Sequence, residues 1–436
     1  MKNWDPAEQM LLIKFIPALQ SLPEKKNLTE SRKAKYWKEE KNYTGVIMRF
    51  AIEKKELLQS VQHLASVAPA KNASPILTNY LIAADAATGM VKITTSDLDI
   101  TVVVEFAAAV SEDGIIAVSA KHFNEIINYM PEAMINFWRH DELLMIQCAK
   151  IDFNLLIADH TLFPVVPEVN LEKAINIDAQ LFNRMISKTS FAVSTDVNRA
   201  VLTGVCWKIL EKEHLMAATD GRKVAEIKVK NAKLRSPAET DTDSEENIFS
   251  AANGENIEKI IPVKTLSFLQ KIFDNSAKEV KVLLEGSKVI FSYDKYVVFS
   301  QVIEQKYPEY QKAFVTDLQN QFVIDKNSLH NAIRRVALVA PDDNLRIRFE
   351  LDSEMFEVNT SNRDTGDAKE NLENYNFQGS KTGVSFNYRY MLGILDAIDS
   401  DKVVIKLGSS KDPLMIYNME NKENEEVTFL LMPLRS

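Results

Sequence analysis

Glycine, cysteine and long apolar runs are scarce in this chain of 436 residues, and each scarcity argues against a class of protein. There are 12 glycines, well under the usual share of roughly 7%. Phosphate-cradling loops consume glycine, so nucleotide binding is disfavoured. Two cysteines, Cys148 and Cys206, are too few for a disulfide framework or a zinc cluster and fit a reducing cytoplasm. No apolar run is long enough for a membrane-spanning helix.

Recognisable catalytic motifs are also missing from the sequence. It contains no glycine-rich phosphate loop, no nucleophile elbow, no H-E-x-x-H and no C-x-x-C. Its six histidines are scattered, and close acidic pairs such as Asp97/Asp99 and Asp342/Asp343 are typical of turns and caps. We therefore expect no catalytic residues, no metal and no cofactor. An enzyme that uses buried carboxylates stays open as an alternative.

The charge balance restricts how the chain would meet nucleic acid. A net charge of −9 argues against a broad basic face but allows a locally basic surface inside an acidic exterior. A hydrophobic content of 46% and a charged content of 26% are ordinary for a globular protein. A chain of this length is expected to divide into several domains.

Residues 1–47 differ from the rest of the chain. The apolar run Leu11–Ile16 is interrupted by Lys14 and followed by Pro17, with no small-residue cleavage site after it. Two interpretations stay open: a loosely ordered extension, or an artefact of a gene model whose true start is Met48.

After Met48 the chain repeats itself three times. Each repeat opens with a short alternating strand, an acidic helix-capping residue and a helix with apolar spacing of three and four. The predicted caps are Glu53, Asp178 and Asp325.

Each repeat also contains a second strand that leads into a second helix. The second helices are predicted at Phe123–Met130, Leu266–Phe273 and Tyr388–Ile398. Short polar turns separate the remaining strands, as in antiparallel sheet. The sequence therefore predicts an α+β fold with three pseudo-repeated domains at 48–172, 173–319 and 320–436. An acidic surface loop at 236–256 lengthens the middle domain.

The end of the chain, Phe429–Ser436, is unusually apolar and reads FLLMPLRS. A buried strand and a docking surface are both consistent with it. Because side chains alternate along a strand, Phe429 and Leu431 can face the core while Leu430 and Met432 face a pocket.

Several stretches, in this order across three repeats, resemble one family. The stretches are Ser74–Leu77, Arg199–Gly204, Ala218–Arg222, Tyr307–Tyr310 and Met432–Arg435. Together they resemble the bacterial sliding clamps, the β subunits of DNA polymerase III, over about 48–435. The resemblance implies three clamp domains per chain, each with two helices on antiparallel sheets, and a head-to-tail homodimer that closes into a six-domain ring.

The family's function implies what this chain would do. It would be a non-catalytic processivity factor, a cytoplasmic and nucleoid-associated protein that encircles double-stranded DNA without reading its sequence and makes no membrane contact. It would tether the catalytic subunit of the replicative polymerase, the clamp loader and repair proteins through their short linear motifs. A clamp-like scaffold without a replicative role is the alternative.

The resemblance also implies a hydrophobic pocket that binds partner peptides. Carried over, its residues are Leu202, Thr219, Gly221, Arg222, Lys223, Val224, Pro308, Lys312, Ala313, Leu430, Leu431, Met432, Pro433, Leu434 and Arg435. The family usually has histidine then arginine where Arg222 and Lys223 stand, and larger residues at Val224 and Ala313, so we expect a reshaped pocket.

Basic residues on the repeated helices are expected to line the hole of the ring. The predicted DNA-facing residues are Lys55, Lys71, Lys121, Arg184, Lys188, Lys264, Lys271, Arg334, Arg335 and Arg389. Lys71 is the exception, since it lies in a loop where the family places a basic DNA contact. The resemblance assigns Phe153, Leu338 and Val339 to the dimer interface.

Overall fold

The computed structural model describes residues 48–434, apart from residues 72, 211–212, 231–255, 275 and 277. Residues 1–47, Arg435 and nearly all of the predicted acidic loop lie outside the described residues. The interpretations of those segments stay predictions.

Twenty-six β-strands lie in the described part of the chain. The first thirteen are β1 Arg49–Glu53, β2 Asn79–Asp85, β3 Met90–Ser96, β4 Ile100–Ala107, β5 Ala109–Glu112, β6 Gly114–Ser119, β7 Met134–His140, β8 Leu143–Cys148, β9 Ile151–Ala158, β10 Ile175–Asp178, β11 Gly204–Ile209, β12 Glu213–Thr219 and β13 Lys223–Lys230. The others are β14 Ile257–Pro262, β15 Glu279–Glu285, β16 Lys288–Tyr293, β17 Tyr296–Gln301, β18 Asn320–Asp325, β19 Arg346–Leu351, β20 Phe356–Asn362, β21 Gly366–Asn371, β22 Asn376–Gln378, β23 Thr382–Asn387, β24 Lys402–Leu407, β25 Leu414–Asn418 and β26 Glu425–Leu431.

Six α-helices occur among the same residues, two in each sequence repeat. They are α1 Lys54–Leu64, α2 Ala120–Tyr129, α3 Ala179–Thr189, α4 Val263–Ile272, α5 Lys326–Val336 and α6 Tyr388–Ala397. Each helix follows a strand without a loop: β1, β6, β10, β14, β18 and β23 run into α1 to α6 in that order. The predicted α+β repeat with two helices entered from strands is confirmed.

The helix caps agree only in part with the prediction. Asp325 caps α5, because its Oδ1 accepts a hydrogen bond from the Ser328 backbone N–H at 2.7 Å. Glu53 occupies the N-cap position of α1 but makes no side-chain capping bond, so that prediction is wrong. The glutamate side chain is one methylene longer than that of aspartate, and its carboxylate instead lies 2.9 Å from Lys55 Nζ.

Contacts along the chain define two compact units. The first comprises the described residues up to Ala179 together with Lys271–Gln301. It contains a sheet of 13 strands in the order β10-β15-β16-β17-β4-β3-β2-β6-β9-β8-β7-β1-β5. Phe50 and Phe137 stack in its core, with ring centroids 4.7 Å apart. Every strand pair in this sheet is antiparallel.

The second unit comprises the described residues of Gln180–Gln270 and those from Val302 onward. It has a sheet of nine strands in the order β14-β11-β12-β13-β26-β25-β24-β18-β22 and one of four strands in the order β21-β20-β19-β23. Buried phenylalanines pack edge to face in its core; the Phe349 ring centroid lies 4.5 Å from that of Phe386 and 5.1 Å from that of Phe356.

The pairing of β13 with β26 determines where the apolar end of the chain lies. The two strands are antiparallel neighbours, with Lys223 opposite Leu431 and Val224 opposite Leu430. The turn between β12 and β13 is therefore brought beside the residues that follow β26. The strand pairing alone thus brings together four predicted pocket residues, Lys223 and Val224 of β13 and Leu430 and Leu431 of β26.

Candidate functional site

A pocket of about 540 Å³ opens in the second unit. Four segments surround it: the 3₁₀ helix Val197–Thr203, the turn between β12 and β13, the loop at 305–313 and the end of β26. Its lining residues are Asn198, Arg199, Ala200, Val201, Leu202, Thr219, Gly221, Arg222, Lys223, Val224, Gln305, Lys306, Pro308, Tyr310, Ala313, Leu430 and Met432. The volume suits a few side chains of a peptide.

The floor of the pocket is the surface of an apolar cluster. Val224, Leu430 and Tyr310 belong both to the pocket lining and to a buried cluster that also contains Cys206 and Met415. Because these side chains are held by the core, the floor is preformed and rigid. An apolar group that enters the pocket would be removed from water at little cost in ordering the protein.

The turn from Asp220 to Lys223 forms one wall and is held by its own hydrogen bonds. Asp220 Oδ1 accepts from the backbone N–H groups of Arg222 and Lys223 at 2.8 and 2.9 Å. Gly221 has a φ of 87°, a left-handed conformation that favours glycine. A side chain there would also crowd Arg199, whose Nη1 lies 3.3 Å from the position of a Cβ on Gly221.

Lys223 contributes packing rather than free charge to this wall. Its Nζ lies 2.6 Å from Asp220 Oδ2 and 4.3 Å from the centroid of the Tyr390 ring. The side chain is 8% exposed. The ammonium group is therefore neutralised by a neighbouring carboxylate and covered by an aromatic face.

The end of the chain forms another wall, and part of the sequence prediction needs correction here. Met432 is 39% exposed and lines the pocket, and its backbone N–H donates to the Arg222 carbonyl at 2.8 Å. Leu431 is fully buried, because strand alternation turns it to the core, and it does not line the pocket. Leu431 is therefore absent from the lining, contrary to the prediction, whereas the buried Leu430 and the exposed Met432 both belong to it.

Three other predicted pocket residues lie outside the lining. Lys312 has an exposed side chain that is ion-paired with Glu309. Pro433 and Leu434 are half-buried beyond Met432, and the Leu434 backbone N–H donates to the Ser385 carbonyl at 2.7 Å. Arg435 is outside the described residues.

Seven lining residues were absent from the sequence prediction. They are Asn198, Arg199, Ala200, Val201, Gln305, Lys306 and Tyr310. Most of them lie in or beside the two stretches Arg199–Gly204 and Tyr307–Tyr310 that carried the family resemblance. Extending each predicted site residue to its whole matching stretch would have found Arg199, Ala200, Val201 and Tyr310, but not the other three.

The rim of the pocket is positively charged although the whole chain is acidic. Arg199, Arg222 and Lys306 are exposed lining residues, and no carboxylate belongs to the lining. The Arg199 guanidinium is held by Asp196, whose Oδ2 accepts a hydrogen bond from Arg199 Nε at 3.2 Å. Lys306 Nζ lies 3.7 Å from Glu309 Oε1, outside the lining. The rim thus favours a ligand with a negative group beside its apolar part.

Eight of the ten cations predicted to face DNA have exposed side chains. These are Lys55, Lys71, Lys121, Lys264, Lys271, Arg334, Arg335 and Arg389. Carboxylates lie next to Lys55 and Arg335: Glu53 is 2.9 Å from Lys55 Nζ, and Glu370 Oε2 accepts from Arg335 Nε at 2.8 Å.

Arg184 and Lys188 do not present free charge, and their prediction as DNA-facing residues is corrected. Lys188 is 5% exposed; its Nζ lies 2.5 Å from Asp399 Oδ1 and also donates to the Ala397 carbonyl. Arg184 Nε lies 2.6 Å from Glu425 Oε2, and its Nη2 contacts Asp399. Burial lowers the pKa of Lys188, while Asp399 opposes that shift. Both cations are satisfied by an internal ion-pair network.

The residues predicted at the dimer interface differ in exposure. Leu338 is 84% exposed and Phe153 is 43% exposed, so both side chains are accessible to a partner chain. Val339 is half-buried, and its carbonyl accepts a hydrogen bond from the Thr365 hydroxyl at 2.9 Å. Phe153 lies on β9, which pairs with β8 along Ile151–Leu156 but with β6 only at Ile157 and Ala158.

The described part of the chain offers neither a cluster of metal ligands nor a membrane-spanning helix. Nowhere in that part of the chain do three or more histidine, cysteine, aspartate or glutamate side chains come together in a way that would hold a metal ion. None of the helices described there has both the length and the apolarity to span a bilayer.

Models of three protein domains match successive parts of the chain. The N-terminal domain of the DNA polymerase III beta subunit matches residues 48–167, its central domain matches 176–243 and 244–309, and its C-terminal domain matches 311–435. The beta sliding clamps of Staphylococcus epidermidis and Staphylococcus aureus are 26% identical to this chain over 400 residues, covering 89% of the chain and 100% of each relative.

Solved structures agree with these matches. The DNA polymerase sliding clamp of Bacillus subtilis is 26% identical, with a TM-score of 0.80 over 89% of this chain and 100% of the other. The DNA polymerase III subunit beta of Pseudomonas aeruginosa, at 22% identity, supports the fold alone, with a TM-score of 0.78 over the same shares. The chain belongs to the family of bacterial DNA polymerase III beta subunits, the beta sliding clamps.

Proposed function

We propose that this chain is a DNA sliding clamp, a processivity factor that encircles duplex DNA and holds replication and repair proteins on it. The observation that carries the proposal is the succession of three matched clamp domains on a strand–helix pattern that occurs three times in one chain. The domain boundaries that we propose are 48–172, 173–319 and 320–436. The first two contain the matched N-terminal and central ranges, whereas the C-terminal match begins nearer the N-terminus, at residue 311.

The assembly that we propose is a head-to-tail dimer that closes into a ring. Heterologous contacts either close or polymerise, and two chains of three similar domains would close with sixfold pseudo-symmetry. The side chains of Phe153 and Leu338 are exposed, so a second chain could bury them at these positions and remove their apolar surface from water.

Contact with DNA would be electrostatic and independent of base sequence. The eight exposed cations on or near the repeated helices supply weak attraction to phosphates, which permits sliding. Arg184 and Lys188 are not part of this proposed lining. Because encirclement provides retention, the protein needs no tight grip on DNA, and its acidic net charge is compatible with the role.

The pocket is the proposed docking site for short motifs of the polymerase catalytic subunit, the clamp loader and repair proteins. Its apolar floor would take leucine-like and aromatic anchors, and Met432 can adapt to their shapes. Its basic rim favours motifs with an acidic residue beside these anchors. In this role the protein binds and positions other proteins and is not itself catalytic.

Retention on circular DNA tests the proposed function. Purified protein treated with a clamp loader and ATP should remain on a nicked circular plasmid through gel filtration at moderate salt. It should dissociate once a restriction enzyme linearises the plasmid, because the ends allow a ring to slide off. A digest that cuts only unbound competitor DNA is the control.

Two results would contradict the proposal. Equal retention on linear and circular DNA would indicate binding by contact rather than by encirclement. Failure to load, combined with normal binding of peptides to the pocket, would favour the alternative of a clamp-like scaffold without a replicative role.

A further inference from the structure

Tyr310 lines the pocket, and its hydroxyl is hydrogen-bonded to the buried carboxylate of Glu226, which is not a lining residue. The hydroxyl donates to Glu226 Oε2 at 2.6 Å. Glu226 lies in β13 and is only 2% exposed. It is two residues from the pocket residue Val224, so the two side chains are on the same face of the strand.

A carboxylate at this depth is expensive unless it is paired and fully hydrogen-bonded. Lys228, two residues further along the same face of β13, supplies the charge, with its Nζ 3.1 Å from Glu226 Oε1. The Tyr310 hydroxyl satisfies the other oxygen. An apolar side chain of similar size would fill this space without the desolvation cost, so filling the core does not account for a glutamate here.

The loop that carries Tyr310 packs on the buried apolar cluster, but few hydrogen bonds attach it to the strands. Ile303 N–H donates to the Ile260 carbonyl where the loop begins, whereas the backbone hydrogen bonds of Tyr310 and Lys312 are local, to Pro308 and Glu309. Two tyrosine hydroxyls connect it to the hairpin of β12 and β13. Tyr310 bonds to Glu226, and the Tyr307 hydroxyl accepts from the Thr219 backbone N–H at 3.0 Å.

The rings of Tyr307 and Tyr310 also pack against each other. Their rings meet edge to face with centroids 6.1 Å apart, and Tyr310 meets Phe314 in the same way at 5.9 Å. Burial, followed by the charge of Glu226, raises the pKa of Tyr310, so its hydroxyl keeps its proton and remains a donor.

We infer that Glu226 is a positioning residue of the pocket: by holding the Tyr310 hydroxyl, it sets the position of the loop wall against which a peptide's aromatic anchor packs. The inference rests on the proposed function of the pocket as a peptide-docking site. It assigns to Glu226 an effect on peptide affinity, although Glu226 is not a lining residue.

The test measures binding of a labelled synthetic peptide with a leucine–leucine–phenylalanine core and one flanking aspartate, by fluorescence anisotropy on the full chain. Tyr310→Phe and Glu226→Leu each remove the hydrogen bond and should weaken binding about three- to tenfold. Glu226→Gln keeps an acceptor and should restore most of the affinity. Because both changes remove the same bond, the double variant Tyr310→Phe/Glu226→Leu should lose no more than either single variant.

Two controls separate positioning from loss of structure. Tyr417→Phe removes a tyrosine hydroxyl that packs on the same buried cluster but lies outside the pocket lining, and it should leave peptide affinity unchanged. A peptide whose phenylalanine is replaced by alanine should bind wild type and Tyr310→Phe with the same affinity. Thermal melting verifies that every variant is folded at the assay temperature.

Wild-type affinity in Tyr310→Phe would overturn the inference. An equal loss for the full and the alanine-substituted peptide would also overturn it, because such a loss indicates general damage to the pocket. If Glu226→Leu fails to fold, Tyr310→Phe and Glu226→Gln still decide the outcome. If the wild-type chain binds neither peptide, the proposed docking function fails instead.

Discussion

Arg199 and Arg222 show how single residues give the pocket its electrostatic character. Asp196 orients the Arg199 guanidinium, and the absence of a side chain on Gly221 leaves room for it beside the turn. The Arg222 guanidinium has no ion-pair partner among the described residues, while its backbone is held by Asp220 and Met432. A cation on a fixed backbone and without a partner is available to a ligand's carboxylate.

We expect Arg222→Gln to weaken binding of a peptide with an acidic flank about two- to fivefold, as typical for one exposed ion pair. The effect should shrink as salt is raised, because salt screens exposed charges. Anisotropy titrations at low and high salt measure both changes.

Lys312→Gln is the matched control for this prediction. Lys312 is an exposed cation on the same loop as Lys306, but it is outside the lining and already paired with Glu309. Its loss should change affinity by less than about twofold. Equal losses in the two variants would attribute the preference to net charge rather than to Arg222.

At the scale of elements, the strand–helix junctions could be predicted because they depend on local pattern. Alternating residues followed by a spacing of three and four identify β18 and α5, and Asp325 between them caps the helix. Alternation along β26 also predicts that neighbouring residues face opposite sides of the strand. Within this strand the prediction was wrong only for Leu431, which was assigned to the pocket but is absent from its lining.

Contacts between distant segments could not be predicted in the same way. Basic residues on a helix face are usually solvated, so nothing near Lys188 in the sequence indicates that Asp399 neutralises it. Likewise, Glu226 in an apolar strand pattern reveals neither Tyr310 nor its own burial. Such partners are determined by the pairing of strands, which a single sequence does not specify.

The ion-pair network on α3 leads to a prediction about stability. Asp399 contacts both Arg184 and Lys188, and Lys188 is buried. Asp399→Asn would leave a buried ammonium without its counter-charge, and we expect a loss of about 2 kcal/mol in the free energy of unfolding. Urea denaturation measures this loss, and hydrogen exchange should show faster opening of α3.

Glu309→Gln serves as the comparison for the ion-pair network. It also removes one carboxylate from ion pairs, but its partners Lys306 and Lys312 are exposed to solvent, so the free energy of unfolding should fall by much less than in Asp399→Asn. If the two variants are equally stable, the network on α3 contributes no more than a surface pair.

At the scale of the whole molecule, the proposed ring depends on contacts between two copies of the chain. Leu338→Asp places a charge in the proposed interface and should convert the dimer to monomers, because burying an unpaired carboxylate is strongly unfavourable. Sedimentation equilibrium measures the mass. Retention on circular DNA should be lost in parallel, since a monomer cannot close around a duplex.

Val165→Asp is the control for the dimer. Val165 is 86% exposed, nearly the same as Leu338, but no prediction assigns it to the interface. It should remain dimeric. A monomeric wild-type chain, or a Leu338→Asp variant that stays dimeric and loads normally, would contradict the proposed assembly.

The pairing of β13 with β26 determines when, during synthesis and folding of the chain, the pocket can first form. The pocket's walls come from the middle of the sequence and from its last described strand, so neither wall exists as a binding surface without the other. A chain still emerging from the ribosome, or one cut short before Met432, would lack the complete receptor. Peptide binding by the proposed docking site therefore requires that the chain has been synthesised at least to Met432 and that β13 and β26 have paired.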